Sequence, residues 1–394
     1  MKALVSVSEA RRIIDDMPGN FGVEQVALRH ALHRVLAEDI LADSDFPPFD
    51  RVMMDGIAIS YSTDHPEYLQ HQDTQRAGQP ALTLLSGRHA IEIMTGAVCP
   101  AGADTIIPYE DCERNSEGWK VIRWPERAGV NIHRRAADQR EGDILLRSGS
   151  VVGAAEAGVL ASVGKAEVKV YRRPTVIVFS TGDELVPIAS QPLPHQVRRS
   201  NVESLLMMLG REGIDAHEAH LPDDQDAITE VLHRALSEYD VILLSGGVSK
   251  GKFDLLPAEL ERLGVTKYFH GVKQKPGKPF WFGTKGNCTV FAFPGNPVST
   301  FVCAHVYLLP WLRHKAAFPA IQPTAEVANT FKKKTGLTHF VPGRFTSTAQ
   351  IALVPGNGSG DFVNLVQADL LVEFPEDMTE CKPGDQYPFI LFRE

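Results

Sequence analysis

The sequence predicts a multidomain α/β protein: a central Rossmann-like domain on a parallel sheet, preceded by an N-terminal region with a small inserted β domain and followed by a C-terminal β domain. Three observations predict it. Between about residues 171 and 317, runs that are apolar throughout ("TVIVFS", "DVILLS", "CTVFAFPG") alternate with amphipathic segments, the pattern of parallel strands covered on both faces by helices. From 51 to 131 the texture is instead short β-type runs ("ALTLL", "AIEIM", "DTIIPY") punctuated by Gly, Pro and Asp. From 318 to 394 it becomes β-like again ("TAEVANTF", "IALVP", "LLVEFP", "FILF"). A length of 394 residues accommodates two to four domains at roughly 150 residues each.

The elements follow in order. Ser6-x-x-Glu9 before "ARRII" is a capping box opening an amphipathic helix. The stretch to residue 50 then becomes extended and ends in the Pro-rich "DSDFPPFD". Residues 1–50 and 132–170 together make a discontinuous N-terminal region around the inserted domain 51–131, and "GDILLRSGSVVGAAEAGVLASVG" supplies it with a strand, a turn and a helix. In the central domain "NVESLLMMLGREG" is a helix ending at a glycine cap. "DAITEVLHRALSEY", "LLPAELERLG" and "PVSTFVCAHVYLLPWL" are the helices that follow.

Composition narrows the function classes. Apolar residues make 43% and charged residues 23% of a chain with formal net charge −9, which suits a globular protein and argues against a general nucleic-acid binder. Five scattered cysteines without a C-x-x-C pair read as a reduced, cytoplasmic protein with neither a disulfide scaffold nor a zinc site. No apolar run approaches the roughly 20 residues that span a bilayer, so no membrane partner is expected.

Ligands of an open parallel sheet bind outside the carboxyl ends of its strands. Three such ends carry unusual residues: "STGDEL" with Thr181, Gly182 and Glu184; "SGGVSKGKFD" with Gly246, Gly247 and Asp254; and "FPGNPVST" with Asn296 and Pro297. Asn296 is a good N-cap and Pro297 suits the first helical position, where free N–H groups favour an oxyanion. Lys275 and Lys278 flank a Pro-Gly turn nearby. The second stretch nearly matches a P-loop, but Phe253 stands where a Ser or Thr must hold Mg²⁺. Asp254 beside it offers a carboxylate, and Mg²⁺ is usually held by one or two carboxylates plus substrate phosphates. The crevice therefore reads as an anion site of another kind than a nucleotide-triphosphate loop. Plainer readings stand beside this one: Gly246-Gly247 as a tight turn, Asp223-Asp224 as a helix cap, Asp55 as a loop turn and the lysines as solvated charges. "HEAH" (His217 to His220) has the wrong spacing for a zinc motif and reads as structural.

Seven motifs along nearly the whole chain ("PPFDRVMMDGIAI", "MTGAVCPAGADTIIPYE", "FSTGDELV", "SNVESLL", "SGGVSKGKFD", "KPGKPFWFG" and "FPGNPVS") resemble the molybdopterin molybdenumtransferases, relatives of the gephyrin C-terminal domain. The resemblance implies an elongated homodimer whose 171–317 domain binds the pterin nucleotide. It further implies a reaction in which molybdate and adenylyl-molybdopterin give molybdenum cofactor and AMP, with Mg²⁺ required. A molybdopterin adenylyltransferase would be the substrate donor, and molybdoenzymes or cofactor carriers the acceptors. By the same resemblance Asp223 and Asp254 hold Mg²⁺, while Asp55, Thr95, Asp138 and Glu184 occupy functional polar positions, some of them in a composite site. Ser249, Lys278, Pro279, Ser299, Arg344 and Ser359 match positions around molybdate, and Lys275 would help neutralise the pyrophosphate. This chain departs from the family pattern at Lys250, Lys252, Ala137, Gly271 and Lys273, where charge is redistributed, and in "DGIA".

Two other functions compete with this one. A nucleotide pyrophosphatase on a related α/β domain would explain the middle of the chain but neither the flanking motifs nor the C-terminal domain. A gephyrin-like scaffold would leave Asp55, Asp138, Glu184, Asp223 and Asp254 as uncompensated carboxylates around an anion crevice. An oxidoreductase has no G-x-G-x-x-G after any predicted strand.

Overall fold

The uniformly apolar runs of the central region become strands buried along their whole length: Val176–Thr181, Val241–Ser245 and Cys288–Phe293. Because successive side chains point to opposite faces, each strand feeds two cores. Val176, Val178, Val241, Leu243, Phe291 and Phe293 lie on one side, and Ile177, Phe179, Ile242, Leu244, Val290 and Ala292 on the other. Helix Ser200–Arg211 and the helix that starts at Pro297 cover the first face. Helices Gln225–Glu238 and Leu256–Arg262 cover the second.

This computed structural model describes residues 4–17, 19, 21–248, 255–315, 323–347 and 349–393. The chain divides into two units, Met1–Glu24 with Tyr171–Glu394, and Gln25–Val170. In the first, the sheet order is His217–Leu221, Val176–Thr181, Val241–Ser245, Cys288–Phe293, Trp281–Lys285, Thr266–His270. The first four strands are parallel and the last two antiparallel. The sheet is thus mixed where the sequence pattern predicts only its parallel part. The aromatics at the start of Trp281–Lys285 alternate between the cores, Phe280 and Phe282 in the first and Trp281 in the second. The strand order reverses between Val176–Thr181 and Val241–Ser245, which makes that gap the topological switch point where α/β sheets bind ligands.

The C-terminal β domain closes on itself. Strand Thr338–Ser347 pairs with both Gln350–Leu353 and Leu370–Phe374, and Thr324–Val327 and Gln386–Leu391 complete the ring. Closure leaves no free edge within the ring. The short strand Gln274–Lys275 of the α/β domain adds to it at Thr338 and His339. The N-terminal helix Val7–Asp15 packs in this same unit; its Ser6 hydroxyl accepts the Glu9 N–H at 3.1 Å, the cap the sequence predicts, and Arg11 forms a bidentate pair with Glu373.

The helix from Pro297 passes through a π segment, Ala304–Leu308, before ending at Lys315. Its His305 is buried, with Nδ1 2.9 Å from the Phe301 carbonyl. Burial, against that bond and with the Arg313 and Arg211 cations, lowers its pKa to about 4. The folded state therefore keeps His305 neutral where the unfolded chain takes up a proton. Stability is expected to fall as pH drops from about 6.5 towards 4, by about 1.4 kcal/mol per pH unit from this one proton. Titration of the imidazole by NMR checks it: a midpoint near 6.5 contradicts the assignment.

In the second unit, strands Gln70–Gln75, His89–Ile93, Gly56–Ile59 and Thr105–Pro108 form one sheet in that order. Two chain segments far apart in sequence are stitched by Arg51–Val52 pairing with Ile132–His133, and by Ile40–Leu41 pairing with Ile144–Leu146. Among the described residues, no helix is long and apolar enough to cross a membrane. The five cysteines form no disulfide.

Candidate functional site

At the switch point, Thr181 and the Gly246-Gly247 turn face each other. Thr181 is buried and its hydroxyl donates to the Ser245 carbonyl at 3.4 Å. Gly246 has φ +101° and a Cβ there would stand 2.8 Å from the Thr181 hydroxyl, so only glycine lets the two strand ends come this close. Gly247 (φ +66°) and Gly182 (φ +118°) also adopt left-handed backbone. The Gly246 N–H donates to the Phe293 carbonyl at 3.1 Å, which ties this turn to the next strand end.

Acidic groups gather on one side. Glu184 and Asp223 are exposed, and the Asp223 N–H donates to Asp183 Oδ1 at 3.2 Å. The helix cap is Asp224, whose Oδ1 accepts the Ala227 N–H at 2.8 Å, so of the Asp-Asp pair only the second does capping work. Ser249 and Asp254, with Lys250 and Lys252, lie outside the described residues. Among the described residues no group of three or more His, Cys, Asp or Glu is placed to hold a metal. A Mg²⁺ held by one or two carboxylates and completed by substrate phosphates needs no such triad, and the exposed Asp223 carboxylate suits that donor set.

Next to this crevice is a cavity of about 430 Å³, within the range of small-molecule sites. Lys275, Lys278, Pro279, Asn296, Ser299 and Ser359 all line it, six of the expected binding residues in one place. Asn296 occupies the N-cap position of the helix at Pro297 but makes no side-chain cap; its Nδ2 instead donates to Ser359 Oγ at 2.8 Å. The Ser359 carbonyl accepts the Val298 N–H at 3.1 Å, so that loop is fastened to the helix start. Arg344 is exposed on its strand opposite Ala352 and is not among the lining residues.

The Lys275–Lys278 turn rests on a buried polar support that no local sequence pattern announces. Gln274 donates to the Pro276 carbonyl at 2.9 Å and accepts from the Tyr307 hydroxyl, and Cys303 lies under Gly277. Across from it His339 also lines the cavity. Burial first, then Lys333 and Lys275, lower its pKa to about 4, which leaves it uncharged near neutrality. The cavity therefore carries lysine cations, hydroxyls and an amide on one wall. Phe331, Leu337, Val341 and Pro342 make another wall apolar. Charge-assisted hydrogen bonds of this kind hold oxyanions.

In the second unit, Asp55 accepts both the Thr95 N–H at 2.6 Å and its hydroxyl at 2.9 Å on one oxygen, and these bonds lower its pKa. Asp138 is bonded to His133 Nε2 at 2.9 Å, and His133 Nδ1 takes Arg51 at 3.1 Å. Strand pairing of His133 with Arg51 makes that chain possible. The "HEAH" histidines have structural partners, His217 with Tyr239 at 2.6 Å and His220 with Ser180 at 2.9 Å.

Comparison with known proteins covers the whole chain. Family profiles described as the MoeA N-terminal region (domain I and II), a probable molybdopterin binding domain and the MoeA C-terminal region (domain IV) match residues 5–164, 177–314 and 324–392. A molybdopterin molybdenumtransferase of Synechocystis is 37% identical, with 98% of this chain and 99% of the relative aligned. The one from Staphylococcus aureus is 30% identical over 98% and 95%. The solved molybdopterin biosynthesis MoeA protein of Pyrococcus horikoshii superposes with a TM-score of 0.86 at 27% identity, covering both chains fully.

Proposed function

The chain belongs to the molybdopterin molybdenumtransferase family, transferases of molybdenum-cofactor biosynthesis, and from that premise we propose that it joins molybdate to adenylyl-molybdopterin and releases AMP with Mg²⁺. The observation that carries the reading is the cavity with Lys275, Lys278, Asn296, Ser299 and Ser359 beside the glycine turns of the switch point.

In this account the cavity takes molybdate. The Lys278 ammonium group neutralises the dianion, Lys275 helps neutralise the neighbouring pyrophosphate, and the Ser299 and Ser359 hydroxyls and Asn296 amide orient the molybdate oxygens. Pro279 stiffens the turn that presents Lys278. The backbone at Thr181, Gly182, Gly246 and Gly247 seats the nucleotide's phosphates, and Ser249 contributes a hydroxyl to molybdate. Asp223 and Asp254 are the residues that would hold Mg²⁺, which supplies charge neutralisation at the pyrophosphate. Glu184, Asp55, Thr95 and Asp138 act as polar groups of the reaction. Arg344, from its exposed strand position, adds positive charge outside the cavity. As the two Mo–S bonds form, the dithiol's two protons leave with one molybdate oxygen as water; a second water adds across the phosphoanhydride, freeing AMP and leaving the terminal phosphate on the pterin.

The proposal extends to a cytoplasmic homodimer fed by a molybdopterin adenylyltransferase and serving molybdoenzymes or cofactor carriers, with no nucleic-acid or membrane partner. It keeps the four-part division into 1–50 with 132–170, 51–131, 171–317 and 318–394. The direct test of the cavity is molybdate binding by calorimetry. Lys278→Ala is expected to weaken it by roughly tenfold or more, the loss of one charge-assisted contact of about 1.5–3 kcal/mol. Unchanged affinity would move molybdate out of this cavity.

A further inference from the structure

Asn201 is the second residue of helix Ser200–Arg211, and its side chain reaches two strand ends at once. Its Nδ2 donates to Ser245 Oγ at 2.9 Å and to the Gly295 carbonyl at 2.8 Å, with Thr300 Oγ1 a longer contact at 3.4 Å. An amide NH₂ has two hydrogens, and here both are spent on the two turns that bound the crevice. Ser245 precedes Gly246, and Gly295 precedes Asn296.

The surroundings make this link a rigid one. Ser245 and Thr300 are buried, and the Thr300 hydroxyl donates to the Pro294 carbonyl at 2.6 Å. The Ser245 carbonyl takes the Thr181 hydroxyl. A Cβ on Gly295 would lie 3.6 Å from Gly246 Cα, so the two turns approach to within about a methyl group of each other. Among the described residues, no other side chain hydrogen-bonds to both turns. On one side of the link is the switch-point turn; on the other, Asn296 and Ser299 enter the cavity.

We propose that Asn201 is a positioning residue that sets the spacing between the glycine turn at Gly246 and the cavity wall at Asn296, so that the nucleotide and the oxyanion are held at reacting distance. This inference rests on the proposed function. Asn201 touches neither substrate; it acts through Ser245 and Gly295. Its removal therefore affects the coupled step more than either binding event, since a misplacement of about 1 Å between reacting groups is worth up to about 100-fold in rate.

The test compares full-length wild type, Asn201→Asp and Asn201→Ala. Aspartate keeps the size of the side chain but cannot donate to the Gly295 carbonyl. Molybdate-dependent AMP release is measured at saturating substrates, with AMP affinity and molybdate affinity by calorimetry and the thermal midpoint recorded alongside. The expected result is a fall in kcat of at least about tenfold in both variants, with each affinity changed by less than about threefold. An unchanged kcat in Asn201→Asp overturns the proposal. So does a loss of kcat and both affinities in parallel with the folded fraction, which is the signature of a merely structural residue. Should both variants fail to fold, Ser245→Ala removes one acceptor alone and is held to the same split. Wild type that releases no AMP in response to molybdate refutes the proposed function itself; coupled wild type with equally coupled variants refutes only the role of Asn201.

Discussion

Replacing Asp223 by alanine is expected to lower Mg²⁺- and molybdate-dependent AMP release by about 10²–10³-fold, the several kcal/mol that a metal-held charge clamp supplies. Asp223 is exposed at the end of strand His217–Leu221. Its backbone N–H bonds to Asp183, an interaction the alanine variant retains. Its neighbour Asp224 caps the following helix. The two adjacent carboxylates therefore separate function from folding. Asp224→Ala should cost about 1 kcal/mol of stability and leave the rate at saturating Mg²⁺ within about twofold, far less than the metal-clamp effect. Steady-state rates across a Mg²⁺ titration, with denaturant unfolding of both variants, decide the matter. Equal rates for Asp223→Ala and wild type would remove Asp223 from the metal site.

Gly277→Val is expected to destabilise the first unit by about 3 kcal/mol and to disable the oxyanion cavity with it. Gly277 has φ +91°, and a Cβ there would lie 2.5 Å from Cys303 Sγ and 2.6 Å from Gln274 Nε2. Left-handed backbone strain in a non-glycine residue costs about 1–3 kcal/mol, and forcing extra methyls into a packed core costs a similar 1–3 kcal/mol. Neither neighbour can yield cheaply: Cys303 is fully buried, and Gln274 is held by Pro276 and Tyr307. Gly295→Ala is the contrast, because its Cβ would meet nothing closer than 3.6 Å, and its stability should be nearly that of wild type. Urea unfolding gives both values; a Gly277→Val protein of wild-type stability would contradict the packing described under the turn.

What the sequence made legible follows from locality. Continuous apolar strands, glycine caps and the Ser6 cap are written in neighbouring residues, and they appear where expected. The antiparallel extension through Trp281–Lys285 was hidden because its run follows directly from a Pro-Gly turn that reads as loop. Closure of the C-terminal ring depends on Thr338–Ser347 pairing with two strands distant in sequence, which no local pattern encodes. At the site, Lys275, Lys278 and Asn296 were readable near strand ends as anion-binding groups, the family resemblance added Pro279, Ser299 and Ser359, and all six line one cavity. Their supports were not. Gln274 looks like an ordinary polar residue, and Asn201, though within the motif "SNVESLL", reads as one more helix-start asparagine until the ends of two strands are seen meeting at its amide. His133 likewise gains meaning only from strand pairing with Arg51.

The most direct test of the central claim is AMP release from adenylyl-molybdopterin by the full-length protein, in Mg²⁺, as molybdate is titrated. Release that rises with molybdate and saturates, with molybdenum cofactor formed in equal amount, is the predicted result. Release at the same rate without molybdate would contradict it and make the chain a nucleotide pyrophosphatase.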